Sequence, residues 1–180
     1  MSLSDSELIA RAREAEDPSA FGELVRRHQS AVRIFLRQLT QGDTGLADDL
    51  SQDTFIAAYR NLPHFRGEAR FTTWLLGIAN NVWRNERRKR REVALGPELL
   101  ACVEPSESTT PASDMKADVN AALESLSQSE RTALHLSYQE GLSHSEIAIA
   151  LGWPLGTVKT HLARAKDKLR PILASWRQTK

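Results

Sequence analysis

A single cysteine, Cys102, in 180 residues leaves no partner for a disulfide within the chain. No Cys/His cluster has the ligand spacing of a zinc site, so no metal or cofactor is expected. No uncharged apolar stretch approaches the roughly 18–20 residues that span a bilayer, and membrane insertion is not expected. The opening Met1-Ser2-Leu3-Ser4-Asp5-Ser6-Glu7 has no basic stretch before an apolar run, so no signal peptide is expected. Nor does any segment alternate apolar and polar residues as a half-buried strand would. With 41% hydrophobic and 26% charged residues, the composition is that of a soluble globular protein, and the reducing cytoplasm is its expected compartment.

Net charge is also nearly absent, at +1. Its distribution is more informative. Residues 1–59 carry −4, 60–91 carry +7, 92–130 carry −7, 131–158 carry −1 and 159–180 carry +6. Two basic blocks separated by an acidic one describe two surfaces that face a polyanion.

Helix signals dominate, and the chain reads as all-α. Ser4-x-x-Glu7 is a capping box, in which each residue satisfies the other's backbone N–H, and it opens a short helix carrying Leu8 and Ile9. Asp17-Pro18 pairs an N-cap with a proline at the first helical position. A long helix follows, with Phe21, Leu24, Val25, Val32, Phe35, Leu36 and Leu39 on its apolar side. Further helices are expected from about 44 to 62 and from about 70 to 91. Periodicity then collapses across Gly96, Pro97, Pro105 and Pro111, which predicts a flexible acidic linker over 92–117 between domains at 1–91 and 118–180. Ser127-x-x-Glu130 and Ser143-x-x-Glu146 cap two later helices.

Three surfaces carry chemistry. Between 142 and 169, a short helix with Ile147, Ala148 and Leu151 meets the turn Gly152-Trp153-Pro154. A second helix then buries Leu155, Val158, Leu162, Ala165 and Leu169. Opposite that stripe lie Thr157, Thr160, Arg164 and Asp167, flanked by Lys159 and His161. This is a helix-turn-helix pattern, whose second helix enters the DNA major groove. Lys159 and Arg164 suit phosphates or guanine edges, and Thr157 at the helix start suits a phosphate. A solvated charged helix in an unrelated bundle is the alternative.

The helix over 70–91 sets an apolar stripe of Phe71, Trp74, Leu75, Ile78 and Val82 beside a ridge of Arg70, Thr73, Gly77, Asn81, Arg84, Arg88 and Arg91. Glycine in an exposed helix costs about 1 kcal/mol against alanine, so another backbone is expected to approach Gly77 closely. Phe65-Arg66-Gly67 just upstream adds an aromatic able to stack on an unpaired base. A solubilising tail or a membrane-surface patch would show the same arginines. Finally, Asp49, Gln52 and Asp53 share one face of the preceding helix at i, i+3 and i+4, as a docking face for a basic helix would. A merely solvated acidic face is the alternative there. No constellation fits catalysis, so the chain is not expected to be an enzyme.

In this order and spacing, the three pieces resemble the sigma-70 family of bacterial RNA polymerase initiation factors, in its small extracytoplasmic-function group. Ala47-Asp48-Asp49-Leu50-Ser51-Gln52-Asp53-Thr54-Phe55 resembles the family's polymerase-docking signature. Phe65-Arg66-Gly67, Phe71-Thr72-Thr73-Trp74-Leu75 and Ile78-Ala79-Asn80-Asn81 resemble its −10 segment. Glu140 to Ala148 and Gly156-Thr157-Val158-Lys159-Thr160 resemble its −35 helix-turn-helix. The resemblance implies that Asp49, Gln52, Asp53 and Phe55 bind core RNA polymerase, at the clamp helices of the largest subunit, with the flap of the second subunit as a further contact. It implies −10 DNA contacts for Phe65, Arg66, Arg70, Thr73, Asn80, Asn81, Arg84 and Arg88, with Phe65 holding a flipped base. It implies −35 DNA contacts for Thr157, Lys159, Thr160, His161 and Arg164, and an anti-sigma factor as a further partner. The family often has arginine where His161 stands, which puts one standard contact in doubt. An autonomous helix-turn-helix regulator that binds as a dimer remains the other reading.

Overall fold

The structure is a computed structural model that describes residues 3–14, 17–95 and 125–177. It contains seven α-helices and no strand among those residues. They are α1 (Asp5–Glu14), α2 (Pro18–Leu39), α3 (Thr44–Asn61), α4 (Phe71–Leu95), α5 (Gln128–Tyr138), α6 (His144–Leu151) and α7 (Leu155–Arg177), with a 3₁₀ turn at Leu62–His64. The expected flexible linker, Cys102 within it, and the first residues of the expected second domain fall largely outside the described residues.

Each expected cap forms. The Ser4 N–H donates to Glu7 Oε2 at 2.6 Å, and the Glu7 N–H donates back to Ser4 Oγ. Asp17 Oδ1 accepts from the Ser19 N–H at 2.9 Å, with Pro18 opening α2. α2 ends as Gln41 and Gly42 turn to positive φ, 56° and 92°. Asp43 then caps α3 through the Leu46 N–H. Both later capping boxes close as the sequence pattern predicts. α4 runs to Leu95, past the expected end near 91, and the Arg88–Glu92 pair at i, i+4 spans that extension.

α2, α3 and α4 pack around Leu24, Phe35, Leu36, Leu62, Leu75 and Leu76, all essentially solvent-free. Each such side chain contributes about 1.5–3 kcal/mol by leaving water. α5, α6 and α7 form a second bundle around Leu136, Ile147, Leu151 and Val158. Beside it, burial raises the Glu130 carboxyl, but Lys168 Nζ at 2.8 Å and the Ser127 cap outweigh burial and hold it below its ordinary range.

The two bundles are not held apart. α4 packs against α6 as extensively as against α3, and a single apolar core runs through both halves. Periodicity assigns that face of α4 to solvent or DNA; the neighbour that covers it comes from some seventy residues later in the chain.

His135 is buried in α5 with neither ring nitrogen hydrogen-bonded among the described residues. Burial pushes its pKa below 6.5, so at pH 7 the ring is neutral and its 3.6 Å approach to Glu140 is no ion pair. The unfolded chain therefore binds a proton that the folded chain refuses, and stability falls as pH drops below about 6.5. The penalty approaches 1.4 kcal/mol per pH unit for one such group. Glu140, whose carboxyl is raised by burial, acts with the opposite sign. The difference between wild type and His135→Leu isolates the histidine. Thermal melts followed by circular dichroism at pH 7.5 and 5.0 should show the smaller acid loss in the variant.

Candidate nucleic-acid and polymerase interfaces

On α3, Asp48 is half-buried and pairs with Arg33 at 3.3 Å. Asp49, Gln52 and Asp53 point outward, and none has an ion pair or side-chain hydrogen bond among the described residues. Phe55 is half-buried against the core beneath them. One turn on, Ile56 is 50% exposed, with Tyr59 close to that value. The sequence reading overlooks Ile56, although its place at i+3 from Asp53 and i+4 from Gln52 is visible in the pattern.

The loop before α4 is anchored by Arg13 Nη1, which donates to the Phe65 carbonyl at 3.3 Å. Phe65 does not stand free to stack on a base. Only 9% exposed, its ring packs on Trp74 at 5.0 Å and on Phe71 at 5.8 Å between centroids. Three aromatics within ten residues pack on one another, with Phe65 and Phe71 buried and Trp74 half-buried. Phe65 and Phe71, together with Arg70, Ile9, Glu146 and Ile149, line a cleft of about 700 Å³. Arg66 is fully outside, near Glu68.

Along α4, the expected DNA ridge divides. Arg70, Thr73, Gly77 and Asn80 follow one another at spacings of 3, 4 and 3, and all four meet the C-terminal bundle. Arg70 Nε donates to Glu146 Oε1 at 2.7 Å and Nη2 to the Gly141 carbonyl at 2.9 Å. Thr73, fully buried, donates to Glu146 Oε1 at 3.3 Å. Asn80 Nδ2, 5% exposed, donates to the Leu151 carbonyl. A Cβ at Gly77 would stand 3.6 Å from the Ala150 carbonyl oxygen, so the expected close backbone approach is real and its source is α6. The Arg70 guanidinium drives the Glu146 carboxyl down to about 2. Stability from that carboxylate is present above its ordinary value near 4.5 and is lost as pH falls toward about 2. Asn81, Arg84 and Arg88 lie beyond this contact and are exposed.

α6 and α7 form the predicted helix-turn-helix. Gly152 takes φ 64° as the left-handed cap, and the Trp153 N–H returns to the Ala148 carbonyl. Val158, Leu162 and Ala165 are buried as expected. Leu155 is not: at the first position of α7 it is 44% exposed, because no preceding turn covers it. Lys159, Thr160 and Arg164 share the outer face; neither cation has an ion pair among the described residues, and the Thr160 hydroxyl donates to the Gly156 carbonyl. Thr157 is half-buried. His161 leaves this face: its ring packs on Trp153 at 5.2 Å, and its Nδ1 is buried without a hydrogen-bond partner. No group of three or more His, Cys, Asp or Glu side chains among the described residues could hold a metal, and no described helix is long and apolar enough to cross a membrane.

A capped helix-turn-helix with a free basic outer face, joined to a three-helix core with an unpaired acidic face, defines a class of DNA-directed initiation factor. Comparison with known proteins places it there. Residues 24–93 match the model of sigma-70 region 2, and residues 116–169 match that of sigma-70 region 4. The chain belongs to the sigma-70 family, of the extracytoplasmic-function type, and is a promoter-specific transcription initiation factor. It is 33% identical to the RNA polymerase sigma-H factor of Pseudomonas aeruginosa, over 94% of this chain and 95% of that protein. It is 32% identical to the ECF RNA polymerase sigma-E factor of Haemophilus influenzae, over 95% and 98%. Among solved structures, CnrH in complex with the cytosolic domain of CnrY aligns with TM-score 0.65 and 30% identity, over 95% of this chain and 97% of CnrH. The sigma factor RpoE in complex with the anti-sigma factor NepR from Bartonella quintana also aligns at 0.65, with 28% identity, over 86% and 96%.

Proposed function

We propose that residues 1–91 and 118–180 act as two promoter readers carried by core RNA polymerase, joined by the acidic linker at 92–117. The α3 face of Asp49, Gln52, Asp53 and Phe55 docks on the clamp helices of the largest subunit, and the C-terminal domain reaches the flap of the second. α7 reads duplex −35 DNA through Lys159, Thr160 and Arg164, with Thr157 near a phosphate. The 65–70 loop and α4 capture the unpaired −10 strand through Arg66, Arg70, Thr73, Asn80, Asn81, Arg84 and Arg88. Capture offsets part of an unpairing cost of a few kcal/mol. Phosphodiester chemistry stays with the polymerase, so the chain itself is no enzyme, and it works in the cytoplasm. An anti-sigma factor is its further partner, in keeping with the complexes in which CnrH and the Bartonella quintana RpoE were solved.

The observation that carries this reading is the unpaired outer face of α7, mounted on a turn that two local devices hold: left-handed Gly152 and the Trp153 return bond. A gel shift tests it, using a promoter fragment found by transcript profiling after overexpression, with and without core polymerase. Specific binding only with core supports the reading. Full binding without core, with a two-fold symmetric footprint, would replace it with a dimeric operator-binding regulator.

His161 gives this reading a sharper test. An arginine there keeps a stacking contact with Trp153 and extends a charge toward the backbone. His161→Arg should bind −35 duplex several-fold more tightly within holoenzyme, with a salt slope steeper by about 0.9. Fluorescence anisotropy over a range of salt concentrations measures both, and an unchanged slope would keep position 161 away from phosphate.

A further inference from the structure

The apolar stripe of α7 starts before its buried core does. Val158, Leu162 and Ala165 are at most 2% exposed, whereas Leu155, three residues before Val158, is 44% exposed. Leu155 holds the first position of α7, and in a helix-turn-helix the first residues of the second helix are the ones that meet base edges. We infer that Leu155 reads the −35 element through the methyl group of a thymine, packing against it in the major groove. This rests on the −35 reading of α7 given above, to which it adds a residue and the base-pair feature that the residue recognises.

The first turn of α7 has little but apolar contact with which to tell one base pair from another. Leu155 has no donor or acceptor in its side chain, and Gly156 has no side chain. A Cβ on Gly156 would meet nothing within 4 Å, so open space lies beside Leu155 on the exposed side of the helix. Thr157 is half-buried, and the N–H groups of Thr157 and Val158 both donate to the Pro154 carbonyl, at 2.9 and 3.2 Å. One turn on, the Thr160 hydroxyl donates to the Gly156 carbonyl at 2.9 Å, which commits its proton to the helix itself. Of the features a base pair shows in the major groove, the thymine methyl is the one that complements an apolar side chain.

The charges around Leu155 favour DNA as what covers it. Lys159, one turn along, is exposed, as is Arg164, and neither has an ion pair among the described residues. Both put positive charge on the outer surface that Leu155 shares, and phosphate contacts of this kind set the register of a helix on the duplex. Trp153, the large apolar side chain nearest in sequence, packs instead on His161 at 5.2 Å. An apolar group flanked by free cations fits a groove whose walls are anionic and whose base edges carry methyl groups. The −35 element therefore holds an A·T pair within reach of the start of α7, and that pair is distinguished by its methyl group.

Deoxyuridine lacks that methyl and keeps the hydrogen-bonding pattern of thymine, so it tests the contact by itself. In a promoter fragment found by transcript profiling after overexpression, each thymine of the −35 element, on either strand, would be replaced in turn by deoxyuridine. Holoenzyme binding would be measured by fluorescence anisotropy. One replacement should weaken binding by the wild-type chain about four-fold, the scale of one buried methyl group. Holoenzyme carrying Leu155→Ala should bind the unmodified duplex more weakly and lose nothing further at that replacement. Leu155 is exposed and alanine is the best helix former, so the variant should match wild type by circular dichroism. A −35 element without an A·T pair, no replacement that weakens wild-type binding, or an equal methyl effect in wild type and Leu155→Ala would each overturn the thymine contact. Equal binding of intact and scrambled −35 duplex by the wild type would instead bring down the −35 reading, and the thymine contact with it.

Discussion

Asp49→Arg with Asp53→Arg should abolish retention of core polymerase on the immobilised chain, weakening it by about a hundred-fold or more. Two acidic side chains facing a basic partner become two cations facing it, and like-charge juxtaposition across an interface costs several kcal/mol. The fold should survive. Both side chains are exposed, and neither is tied to a neighbour among the described residues. Circular dichroism and an unchanged melting temperature verify that. The control is Asp48, which pairs with Arg33 within the chain: Asp48→Arg breaks that ion pair and should lower core binding far less than the double variant does. Full core affinity in the double variant would remove α3 from the polymerase contact.

Arg164→Ala is the second large effect. Arg164 stands exposed one turn beyond Thr160 with no ion pair among the described residues, its neighbour Asp167 pairing with Arg170, and alanine is the best helix former, so α7 persists. If the guanidinium grips a guanine edge with two hydrogen bonds, its loss costs about 1–3 kcal/mol and relaxes preference at one base pair. Holoenzyme binding to a panel of single-base −35 variants reads both quantities. An even loss across the whole panel would make Arg164 a phosphate contact.

What could be read from the chain in advance is what short-range chemistry decides. Asp17-Pro18, Ser127/Glu130, Ser143/Glu146 and Gly152 each solve a hydrogen-bonding or φ problem within four residues, and all four formed where expected. The stripe Val158, Leu162, Ala165 was equally legible, since burial repeats with the helical turn. Thr73 and Asn80 were not. They are polar, and their burial depends on a helix about seventy residues away, which no local pattern encodes. The packing of Phe65 was hidden for a related reason: an aromatic in a loop looks exposed until Phe71 and Trp74 close around it. Gly77 lay between these cases, because its helix-weakening signalled a close neighbour without naming which.

The Arg70–Glu146 contact also changes how ions should be counted. A cation that meets DNA from solution releases condensed counterions, and each phosphate neutralised steepens the salt dependence by about 0.9. Arg70 already has a carboxylate bound, and Glu146 must recover its own counterion when the two separate. The exchange is close to neutral in released ions. A chain that meets DNA with this contact still closed should therefore report, in a salt titration, one phosphate fewer than its complex displays.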